Sequence, residues 1–112
     1  MTHRTQHAPP DLEMMRETAR LVMLMDDGGE LPDGEGLVTF ALTLRGMLAV
    51  LVPEVEARAR PLPADDVPRA CALACVGEAR MRERLEDVRP AVVVRLARSV
   101  NALCDHYKVL AR

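Results

Sequence analysis

The residues best equipped for chemistry are the three cysteines, Cys71, Cys75 and Cys104. On a helix Cys71 and Cys75 stand one turn apart and point the same way, and Cys104 falls on the apolar side of a later helix. Three inward thiols suit a soft ion such as Cu(I) or Zn(II). The spacing matches no zinc signature, however. The run Ala70-Cys71-Ala72-Leu73-Ala74-Cys75 reads instead as small side chains packing closely, with cysteine acting as a small hydrophobe. Packing is therefore the expectation, with no metal and no other cofactor.

His106 follows Cys104 by two positions, which invites a nucleophile–base pair. Residues two apart on a helix diverge by about 200°, so the two side chains face away from each other. His106 is then a solvated or partner-contacting residue. His3, third in the chain, would complete a square-planar Cu(II) site only if Met1 were retained, and the small Thr2 favours its removal. The sequence contains no phosphate loop, no Gly-x-Ser-x-Gly, no His-Glu-x-x-His and no carboxylate pair on one face. A non-enzymatic role is expected.

Two charged residues sit where charge is costly. Glu78 shares a helix side with Cys71, Ala74 and Met81, and Arg45 interrupts the apolar second helix. Paired across the interior, they would fix helix register more than they would stabilise it.

These side chains need elements to position them. At 112 residues the chain is one domain. A flexible tail over residues 1–10 ends in Pro9-Pro10, and a single helical domain fills residues 11–112. Helices are expected at about 11–25, 35–59, 66–86 and 91–111. Asp11 caps the first and Asp65 or Asp66 the third. Pro53 falls inside the second helix and is expected to kink it. Short connections favour antiparallel neighbours, so the architecture is an all-α, antiparallel up-down four-helix bundle.

Sorting by helical period gives each segment its faces. Met15, Ala19 and Val22 go inside on the first helix, with Met14, Leu21 and Leu24 opposite. Leu37, Leu44, Leu48, Leu51 and Val55 line one side of the second, and its reverse is also apolar or small: Val38, Leu42, Gly46, Ala49, Val50. The third puts Val67, Cys71, Ala74, Cys75 and Met81 inside and Leu73 and Val76 on its back. The fourth is cleanly amphipathic, with a polar row of Arg98, Asn101, Asp105 and Lys108 in which Asp105 and Lys108 can pair. Three of the helices carry more apolar surface than a small bundle hides, which points to association.

Composition narrows the partners. Fifteen Lys+Arg against seventeen Asp+Glu gives a net charge of −2, without the basic excess of a nucleic-acid binder. One Phe, one Tyr and no Trp leave no stacking platform for bases. Residues 36–52 are apolar enough to suggest a membrane, but Arg45 sits at their midpoint, where it costs about 2.5–3.5 kcal/mol on insertion scales. No membrane span is expected, and the tail lacks a secretory signal, so the cytoplasm is the expected compartment. The expected partner is a second copy or another pathway protein. It would be met by Leu73 and Val76 and by Arg98, Asn101, Asp105 and His106. The alternative is a small-ligand or soft-metal bundle using the interior around the three cysteines and Glu78.

Four segments are distinctive: DDVPRACALACVGEAR at 65–80, LARSVNALCDHY at 96–107, RETAR at 16–20 and VPEVE at 52–56. In them the chain resembles a family of short bacterial proteins of unknown function, commonly labelled natural-product biosynthesis proteins. The resemblance spans about residues 14–110, with the tail and the loop at 28–34 outside it. It implies a setting in specialised metabolism and brings no catalytic residues with it.

Overall fold

The computed structural model describes residues 9–84 and 87–111. The protein is all-α, with four helices: α1 (Leu12–Asp27), α2 (Gly34–Ala59), α3 (Val67–Glu83) and α4 (Pro90–Leu110). No strand occurs among the described residues.

The boundaries follow from capping chemistry. The Asp11 carboxylate accepts the Met14 amide at 3.0 Å, and Asp66, rather than Asp65, accepts the Arg69 amide at 2.9 Å. Each satisfies one of the amides a helix start leaves without a partner. Gly29 (φ 69°) takes a left-handed conformation just beyond α1, and Gly34 (φ 54°) does so where α2 begins. Pro90 opens α4 at a position that needs no donor. Pro53 lies within α2, which runs on to Ala59. α3 ends at Glu83, short of the expected Glu86; residues 85 and 86 lie outside the described ones.

α4 is the hub. It packs on all three other helices and most extensively on α2; α3 lies against both α2 and α4, while α1 leans on α4 and barely meets α2. Arg45 reaches the Asp87 carbonyl just before α4, and Arg58 reaches Tyr107 near its end. α2 and α4 therefore run in the same sense. The core is built from Leu44, Leu48, Leu51 and Val55 of α2 with Val93, Leu96, Val100 and Leu103 of α4, all 0% exposed. Burying each such side chain is worth about 1.5–3 kcal/mol. α1 adds Met15, Ala19 and Val22 from the side the helical period predicts.

α3 corrects the sequence reading. Its expected inner side faces water, with Val67 70% and Met81 71% exposed and Cys71 and Ala74 outside as well. Ala72, Val76 and Ala79 form the buried seam instead. Alanine lets helix backbones approach closely. Arg80 and Arg82 flank the seam and reach over it, Arg80 binding both Glu56 oxygens at 2.9 and 2.6 Å and Arg82 the Ser99 hydroxyl at 2.7 Å. Long arginine stems cover apolar surface while their heads find partners, so arginine beside a seam does not mark it as the wet side.

Candidate functional site

The six residues expected to meet a partner do not make one exposed face. Val76 is 2% exposed and belongs to the core, and Leu73 packs half-buried beside it. Asn101 and Asp105 serve the fold: Arg16 of α1 donates to Asn101 Oδ1 at 3.1 Å and meets Asp105 Oδ1 at 2.7 Å. That clamp between α1 and α4 takes the Asp105 carboxylate expected to pair with Lys108. Arg98 remains exposed and His106 is half-buried.

The interior pair of Arg45 and Glu78 is likewise corrected. Because α3 presents its other side to the core, Glu78 rides outside, its side chain 65% exposed, and meets Arg82 one turn on at 3.5 Å. Arg45 is half-buried and reaches the Asp87 carbonyl at 3.5 Å.

The cysteines are not three inward thiols. Cys71 is exposed, Cys75 half-buried and Cys104 fully buried, its Sγ 4.0 Å from the Leu12 carbonyl. Burial pushes the Cys75 and Cys104 thiols above their ordinary pKa, and the nearby Glu78 carboxylate adds to the shift at Cys75. The shift disfavours the thiolate that a nucleophile or metal ligand requires. Among the described residues no group of three or more His, Cys, Asp or Glu is placed to hold a metal. His3 lies outside the described residues.

Two surface features stand out from the rest. One is an open groove of about 300 Å³ lined by Glu78, Met81, Arg82 and Arg95. Arg82 is anchored there by Ser99 and by the Arg95 carbonyl at 3.3 Å. Two guanidinium groups and one carboxylate line it, and Arg82 already meets that carboxylate at 3.5 Å.

The other feature is the outward face of α2. Val38, Thr39, Leu42, Thr43, Gly46, Ala49, Val50 and Pro53 are all exposed, and none is charged. Leu42 is 63% exposed at the middle of this run, with Val38 41% and Val50 44% exposed on either side of it. The Thr39 hydroxyl is already engaged with the Glu35 carbonyl at 2.9 Å, which lowers the polarity of the face further. α2 is long and apolar enough to cross a membrane by length and composition, with 39% of its most apolar window buried inside the bundle. A core helix gives the same signal.

The model of the family of unknown function DUF6415 matches residues 13–112, which takes in α1 from its second residue and the other three helices whole. The chain belongs to DUF6415. No curated protein and no solved structure matches it. The DUF6415 match includes the loop between α1 and α2, a stretch the sequence resemblance left out.

The α2 face of this DUF6415 member was visible in the sequence as the apolar reverse of the second helix. An apolar run interrupted only by Arg45 reads equally well as a helix buried all round, so the sequence alone does not mark these residues as contacts. The signal was the absence of charge at every outward position between Glu35 and Glu54.

Proposed function

We propose that this protein is a non-enzymatic helical interaction protein that works as a homodimer in the cytoplasm, as an accessory in natural-product biosynthesis or its regulation. The observation that carries the self-association is the uncharged, exposed outer face of α2, centred on Leu42, Gly46 and Val50. Covering such a face removes apolar area from water at about 25 cal/mol per Å². A second copy suits it because the face starts with acidic Asp33 and Glu35 and ends with basic Arg60, so one chain carries both halves of a complementary pair.

The biosynthetic setting is supported by the resemblance of residues 65–80 and 96–107 to short bacterial proteins labelled in that way. The alternative of a small-ligand bundle shifts from the thiols to the groove of Arg82 and Arg95, where it takes an anionic ligand. Sedimentation velocity across a concentration series tests the self-association. The expected result is a species of twice the 12.4 kDa chain mass, growing in with concentration. A single 12.4 kDa species at high micromolar concentration overturns the reading.

A further inference from the structure

The outward stripe of α2 consists of Glu35, Thr39, Leu42, Gly46, Val50, Pro53 and Ala57, with Arg60 just past the helix end, and every one of these residues is exposed. At about 100° per residue all of them fall within about 40° of the Gly46 direction. The steps along the stripe run four, three, four to Gly46 and then four, three, four beyond it, so the stripe is symmetric in spacing about that glycine. We propose that two copies of this chain pair through antiparallel α2 helices, with the two-fold axis passing beside Gly46.

In that arrangement Leu42 meets Val50 of the second copy and Thr39 meets Pro53 of the second copy, each contact occurring twice, as an isologous interface requires. Gly46 sits at the crossing point. Nothing lies within 4 Å of where a side chain at Gly46 would begin, so the backbone is open to close approach there. The charged ends then fall into place. Glu35 lies opposite Ala57 of the second copy and within one turn of its Arg60, and Asp33, whose carboxylate makes no cap hydrogen bond, stands at the same end. Arg60 holds Glu56 at 2.7 Å but keeps 62% of its side chain exposed, which leaves it donors for a second carboxylate. Antiparallel pairing also sets the positive end of each helix dipole beside the negative end of the other.

The stripe is shorter than a standard interface of roughly 20–30 residues a side, so the dimer belongs to the weak, exchanging class.

This pairing rests on the self-association reading, and the test separates the two. In a Cys71→Ser background, which removes the exposed thiol, Gly46→Cys is expected to form a covalent dimer under mild oxidation. Ala57→Cys is not, because its mate lies about 33 Å away along the two helices, far beyond disulfide reach. Glu35→Arg and Arg60→Glu each weaken the dimer in sedimentation, and the two combined restore it. Leu42→Glu weakens it by at least about tenfold. A dimer that ignores Leu42→Glu and gives no cross-link at position 46 overturns the pairing and leaves self-association standing. A monomer throughout overturns both.

Discussion

Arg82 of α3 donates to the Ser99 hydroxyl of α4 at 2.7 Å, and Ser99, at 3% exposure, is the only buried polar residue of the core among the described residues. The arginine thus provides the partner that lets a hydroxyl enter an apolar interface. Arg82→Met keeps the apolar stem and removes the donor. It is expected to destabilise the fold by about 1–3 kcal/mol, the cost of a buried polar group left without its partner. Urea denaturation with an unchanged m-value would register this as a lower midpoint.

The orientation of α3 gives a sharper contrast between neighbouring alanines. Ala79 is 0% exposed on the seam, and Ala74 is exposed. Ala79→Leu should cost about 1–3 kcal/mol through overpacking. Ala74→Leu should stay within about 0.5 kcal/mol of the parent, as surface changes do. Equal losses at the two positions, or the reverse order, would return α3 to the face the hydrophobic period suggests.

Glu56 links α2 to α3 and is expected to give stability an acid limb. Hydrogen bonds from Arg80 and Arg60 hold its pKa at about 2, down from 4.5. A depressed folded-state value means that its contribution is complete above pH 4.5 and is lost as pH falls toward 2. Glu56→Gln should therefore be less stable than the parent at neutral pH, with the gap closing across that window. Thermal melts of both proteins at stepped pH follow the convergence; a gap that persists at the acid end would contradict it.

The caps are the simplest local devices in the fold. Asp11→Ala and Asp66→Ala each remove a carboxylate that accepts a helix amide, at 3.0 and 2.9 Å. Each should cost about 0.5–2 kcal/mol in chemical denaturation, while Asp65→Ala, one residue from the cap, should cost little.

Much of this architecture was legible in the residues. Asp11 caps α1 as its place in the sequence suggests, and Met15, Ala19 and Val22 are the buried side of that helix. α3 was misread because its seam is made of Ala72, Val76 and Ala79, whose small volumes score weakly beside Val67 and Met81. That one inversion carried Val76 to the outside and Cys71 and Glu78 to the inside. Asn101 and Asp105 were misread for a different reason. A polar row on a helix looks the same whether it faces water or a single arginine from another helix, and here Arg16 is that arginine. Sequence spacing encodes the buried face of α1; it encodes neither a seam of small residues nor which long side chain will reach across a groove.

A second copy is proposed to cover the outer face of α2. Dimers mixed from isotopically labelled and unlabelled chains test it directly, through nuclear Overhauser contacts filtered to pass only between chains. Cross-peaks between the methyl groups of Leu42 on one chain and Val50 on the other are predicted. Inter-chain contacts arising instead from α1 or α3, with α2 silent under conditions where the dimer is populated, would contradict the account.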